Sequence, residues 1–237
     1  MRGWVRDMTG IAGRTCTKEP SLKRKNTAYL CSLIGLNIAV FLTLLVGNAL
    51  TQAGLDQSWH RVTMKGGMIV AAAPLIAIVL SGVLGDLWKA RLVFWRGANP
   101  LPGCRAFSEL LASDPRLDVA ALKRKLGRFP KEPREQNALW FKLYRRHSGA
   151  LRVLEAHKIY LLTRDMASIA ALFAVLFPAV VFIQEPDKRI AAVYLLALLA
   201  QYVLIARAAS NYGKRFVLNV LSEEAVPPPR GGLRGAS

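Results

Sequence analysis

The residues in this chain best suited to chemistry are cationic, and they are clustered. Lys123, Arg124, Lys125, Arg128, Lys131 and Arg134 form one group, with Arg145, Arg146 and His147 as a second. Guanidinium and ammonium groups at that density bind anions, so both groups are expected to hold a nucleotide phosphate or an anionic lipid headgroup. The competing expectation is a solvated basic face resting on an acidic bilayer. Leu122 and Leu126 interrupt the first run at the spacing of an ordinary amphipathic helix, which favours the bilayer.

His157, with Glu155, Tyr160, Arg164 and Asp165 nearby, brings together the residue types of acid–base catalysis. On a helix, His157 and Tyr160 share a side while Glu155 points elsewhere. No HExxH, GxSxG, Walker A or paired-cysteine motif accompanies them. Cys16, Cys31 and Cys104 make no metal-ligand or disulfide spacing either. The expectation is therefore no catalytic residue, no metal and no cofactor, with His157 a packing residue.

The elements that must position these groups are read from hydropathy. Four apolar runs, 28–50, 67–85, 166–184 and 190–206, contain no Asp, Glu, Lys, Arg or His. Each approaches or meets the ~20 residues that a helix needs to cross ~30 Å of hydrocarbon. A backbone in lipid must satisfy its own hydrogen bonds, so each run is expected to be helical. The fold class expected is all-α: a polytopic integral membrane protein with four transmembrane helices in two hairpins and a cytosolic helical module between them. A signal peptide is the alternative account of the first run, given Lys23, Arg24 and Lys25 before it. That run is longer than a 7–15-residue signal core, so an uncleaved helix is expected.

Charge sets the orientation. Of the 33 Lys and Arg residues, 29 lie in segments 1–27, 86–165 and 207–237. Basic segments stay cytoplasmic, so both termini and the middle segment are placed inside a cell (inner) membrane. The same bias accounts for the formal net charge of +18 and a pI near 10.5, which in a soluble chain would suggest nucleic acid. Direct nucleic-acid binding is not expected.

The domains follow: a basic segment 1–27, a hairpin 28–85, a cytosolic helical domain 86–165, a second hairpin 166–206, and a tail 207–237 that is disordered after about residue 225. The second span is expected to run on as an interfacial helix anchored by Trp88 and Trp95. In the middle segment, helices are expected around Phe107–Leu111, from an Asp118 cap to Gly127, and from Pro133 onward. Leu139, Trp140, Leu143 and Tyr144 make an apolar face on the last of these. From Ala150 to Phe177 there is no Gly or Pro, so a cytosolic helix is expected to enter the third span without a break, packing through Leu151, Leu154 and Leu161 with the neighbouring Val153, His157 and Tyr160. The module is too small to bury a core of its own and is expected to pack on helix extensions or on copies of itself.

The spans carry no ionisable residue, which argues against ion-coupled transport. Asn37 and Gln201 are expected to hydrogen-bond between helices, or to line a narrow path if copies assemble. The layout is similar to that of small multi-span bacterial effector proteins of immunity and stress operons; a homo-oligomer is expected because the module is small for a core of its own. The function expected is non-enzymatic: a self-associating membrane protein whose basic module senses a cytosolic protein or nucleotide ligand and alters permeability. A scaffold anchoring a soluble partner through Leu139, Trp140, Tyr144 and the basic clusters is the alternative, with a lipid-headgroup enzyme third.

Overall fold

The structure, a computed structural model, describes residues 22–53, 79, 82–115, 117–184 and 187–226. All regular elements among them are helical. In chain order they are α1 (Leu22–Ala53), α2 (Asp86–Phe94), a composite segment of 3-10 turn (Pro102–Arg105), π turn (Ala106–Leu110) and short α turn (Leu111–Ser113), α3 (Val119–Leu126), α4 (Pro133–His147), α5 (Leu151–Gln184) and α6 (Lys188–Ala225).

Two described helices are long and apolar enough to cross a membrane, over Leu151–Ile183 and Lys188–Ala225. At 1.5 Å per residue, α5 and α6 measure about 51 and 57 Å, which exceeds the ~30 Å hydrocarbon layer by ~20 Å or more. They form an antiparallel pair, and that excess is where α3, α4 and the composite segment dock. α5 continues through Pro178, as membrane helices tolerate. Ala167, Ala170 and Ala174 are buried on it, small residues that permit close helix approach.

Within α1 the described apolar stretch is Ala28–Leu44. It lies against α5, with Ile34 and Ile38 packed on Ile169 and Phe173. Phe41 stacks on Phe177 at 4.4 Å. Most of the expected second span, 67–85, lies outside the described residues. The expected run-on from that span into α2 is not what forms: Gly85 is extended at the helix start (φ −65°, ψ 158°) and separates α2 from what precedes it.

The module is assembled where α5 begins and α6 ends. Its core joins Leu122 of α3, Trp140 and Leu143 of α4, and Phe107, Leu110 and Leu111 of the composite segment to Val153 and Tyr160 of α5 and Phe216, Val217, Val220 and Leu221 of α6. Burying each large apolar side chain contributes about 1.5–3 kcal/mol, so nearly half of the core residues come from α5 and α6. Of the expected packing side of α5, Val153 and Tyr160 are buried, whereas Leu151 and Leu154 are exposed. At about 100° of rotation per residue, Leu151 stands about 200° and Leu154 about 100° around the helix from Val153, so both turn away from the core.

Local chemistry sets the boundaries. Asp118 caps α3 by accepting from Ala121 N at 2.9 Å, and Gly127 ends it at φ 76°, a conformation that glycine adopts without Cβ strain. The helix expected at Phe107–Leu111 is instead the composite segment, held by the buried amide of Gln136 on α4. Its Oε1 accepts from Phe107 N (3.2 Å), Ser108 N (3.1 Å) and Ser108 Oγ (3.1 Å). Its Nε2 donates to Lys131 O at 3.0 Å. One side chain thus satisfies main-chain donors that an irregular helix leaves without partners.

Gly213 lets α6 approach α2 and α5. A Cβ there would stand 2.8 Å from Phe94 Cζ and 2.9 Å from Tyr160 Cε2. In an open helix Gly→Ala stabilises by about 0.5–1 kcal/mol, whereas overpacking costs about 1–3 kcal/mol. Gly213→Ala is therefore expected to lower stability in thermal unfolding of the detergent-solubilised chain. Gly149→Ala, where no atom lies within 4 Å, is expected to leave it unchanged or raised. An unchanged Gly213→Ala melt would contradict this packing.

Candidate functional site

The junction between the long helices and the module concentrates the polar groups that the core leaves behind. Its deepest feature is Glu224, near the end of α6, whose side chain is 0% exposed. Lys125 Nζ lies 3.1 Å away, Arg146 Nη1 3.0 Å and His147 Nε2 2.6 Å. Lys125 Nζ also donates to the Glu224 carbonyl oxygen at 2.8 Å. One carboxylate thus fastens α3 and the end of α4 to α6. Burial favours the neutral acid, but the hydrogen bonds from His147 and Lys125 and the charges of Lys125 and Arg146 prevail and hold the carboxyl below its ordinary value of 4.5.

A second polar cluster fixes α2 to α5. Lys89 Nζ meets Asp165 Oδ1 at 2.8 Å. Arg164 reaches Asp86 at 3.1 Å and Asp165 at 3.4 Å. At the other end of α2, Trp95 Nε1 donates to Tyr202 Oη at 3.1 Å, and Tyr202 donates to Leu92 O at 2.8 Å. Val93 packs with Ala167, Ala206 and Ala209 where α5 and α6 cross. So α2 is bolted to both long helices.

Two adjoining clefts open beside these clusters. The inner one, about 340 Å³, is walled by Trp140, Tyr144, Tyr160 and Phe216, with His157 and Arg164 at its polar side. His157 stacks on Phe216 at 4.7 Å and its Nδ1 lies 3.1 Å from Tyr144 Oη. Burial, followed by the charge of Arg164, lowers the pKa of His157. The imidazole is therefore neutral at pH 7 and serves as a ring in an aromatic stack. The outer cleft, about 590 Å³, runs from α2 across the 97–101 loop to α4 and shares Leu101 and Asn137 with the inner one.

The expected anion-binding residues are dispersed by the fold. Lys125 and Arg146 converge on Glu224, and Arg134 lines the outer cleft. Lys123, Arg124, Arg128, Lys131 and Arg145 are exposed. Trp88 and Trp95 are exposed too, Trp88 beneath the Arg91 guanidinium at 4.7 Å and Trp95 beneath that of Arg207 at 5.9 Å. Asn37 donates to Leu33 O of its own helix at 2.8 Å, and Gln201 is half-buried on α6. Among the described residues no group of three or more His, Cys, Asp or Glu could hold a metal ion. Sequence reading passed over Glu224, although a signal existed. It continues the Val217, Val220, Leu221 stripe at helical spacing, so an acid stood on the one face where a partner was required.

Comparison with family models, with curated proteins and with solved structures finds no match for this chain.

The junction predicts two steps of acid destabilisation. A base whose folded pKa is lowered binds fewer protons when folded, so stability falls as pH drops below its ordinary value of 6.5. The Glu224 contribution is full above 4.5 and is lost as pH falls through its lower folded value. In melting temperature against pH, His157→Gln is expected to remove the upper step only. Glu224→Gln removes the carboxylate shared by Lys125, Arg146 and His147; with the lysine and arginine about half exposed, it is expected to cost about 1–3 kcal/mol at neutral pH. An upper step that survives in His157→Gln would assign it to another group.

Proposed function

We propose that this chain is a non-enzymatic, self-associating protein of the cell membrane, with four spans and cytoplasmic termini, whose helical module governs membrane permeability. One observation carries the proposal: α5 and α6 run unbroken from the apolar spans into the module and supply the core on which the module is built. A ligand that shifts α3 and α4 would act on the same two rods that enter the lipid, with no hinge between. The lopsided distribution of Lys and Arg supports the four-span orientation. Five exposed cations of the original clusters support contact with anionic headgroups, at about 1 kcal/mol per basic residue near the surface.

The scaffold alternative invoked Trp140 and its neighbours, with the basic clusters, as a docking face. Trp140 is only 7% exposed and stands in the module core, so of the surface that alternative invoked a soluble partner is left with the exposed basic residues. Enzymatic action on a lipid headgroup draws no support from His157, which is committed to Tyr144 and Phe216.

Releasing the Glu224 clasp without removing any element tests the reading. The full chain and Glu224→Gln are reconstituted in vesicles with a potassium gradient, and ion leak is followed with a potential-sensitive dye. Coupling energies of 1–3 kcal/mol correspond to changes of about 5-fold or more, and a change of that size is expected. Equal leak from both proteins, with equal insertion, would count against permeability control by the module.

A further inference from the structure

The two clefts differ in their charge balance, and that difference identifies a ligand. In the inner cleft Arg164 is neutralised by Asp86 and Asp165. The outer cleft has two guanidiniums, Arg91 from α2 and Arg134 from α4, and no carboxylate in its wall. Neither arginine is ion-paired among the described residues. Arg91 is oriented, its Nε donating to Gly97 O at 3.2 Å and its guanidinium lying over Trp88. Both terminal nitrogens are left for another acceptor. Cys104, in the same wall, is held protonated because burial raises its pKa, so the thiol adds no negative charge. Asn137 contributes an amide and Leu101 an apolar surface.

We propose that the outer cleft binds a phosphomonoester, gripped by Arg91 and Arg134. Such a group carries about −1.5 to −2 charge at pH 7, matching two guanidiniums, each able to make paired hydrogen bonds to its oxygens. A phosphodiester, with a single charge, would leave one arginine uncompensated. Leu87 lines the cleft and is 55% exposed, on the helix that also displays Trp88. An acyl chain attached to the phosphate would leave along that apolar side, and the headgroup of a phosphatidic-acid-like lipid therefore suits the site as well as a free phosphate does. The site supplies the ligand that the permeability reading requires, and rests on that reading only for the nearness of lipid.

The test uses the full chain in an uncharged detergent, titrated calorimetrically with dioctanoyl phosphatidic acid, dioctanoyl phosphatidylglycerol and inorganic phosphate. Phosphatidic acid is expected to bind at least about tenfold more tightly than phosphatidylglycerol, and R91Q/R134Q to lose at least about tenfold, given the strength of charge-assisted bonds. K142Q/R152Q removes the same charge from exposed positions on α4 and α5 outside both clefts and is expected to bind as the parent does. Circular dichroism checks that each double variant keeps its helices. Displacement of the lipid by equimolar inorganic phosphate assigns the free ion as ligand; failure to displace it assigns the lipid. Equal loss in both double variants would reduce the effect to general charge, and equal affinity for the two lipids would remove the phosphomonoester. Binding is read without ion flow, so a leak assay that fails leaves this site standing, and a site that fails leaves the leak result intact.

Discussion

The structure depends on the antiparallel contact between α5 and α6. Neither rod has to change direction or conformation between its apolar stretch and the stretch that supports the module. The excess length of about 20 Å over the hydrocarbon thickness presents Val153, Tyr160, Phe216, Val217, Val220 and Leu221 to helices too short to fold alone. An eight-residue α3 and a fifteen-residue α4 lie near or below the length at which isolated helices persist in water. Their order is borrowed from the pair.

Polar groups divide the work at the two levels of this pair. Near its apolar portion, Lys89–Asp165, Arg164–Asp86 and the Trp95–Tyr202–Leu92 chain fasten α2. Near the far end, Glu224 fastens α3 and α4. Both clusters bury charge, and buried pairs give little net stability over apolar replacements while penalising the loss of one member heavily. Their effect is on arrangement: each cation has one place where its counter-charge waits. The clefts lie between these two fastenings, so their walls are held from both sides.

Helix identity and the long uninterrupted α5 were legible in the sequence, because apolar runs, Asp118, Gly127 and Pro133 are local signals that the packing obeys. What escaped was non-local. Gln136 remodels a segment about 28 residues earlier into 3-10 and π turns, and nothing near Phe107 announces that. Arg134 belonged to a cluster by sequence distance, yet its cleft partner is Arg91, far away in the chain. The basic groups looked like one surface because sequence proximity was the only measure at hand. Folding splits them among a clasp, a cleft and solvent, according to which helix face each occupies. Trp140 and Leu143, conspicuous as an apolar face, could equally have served a partner until α6 was seen to cover them.

The Glu224 clasp also has a consequence for how the polypeptide is made. Arg146 and its carboxylate are 78 positions apart, and synthesis at 5–20 residues per second puts about 4–16 s between them. Throughout that interval α3 and α4 have left the ribosome with cations unmatched and apolar faces uncovered, while the intervening segments are still being placed. The module is therefore the last part to close, and its closure reports that both long rods have already found their places.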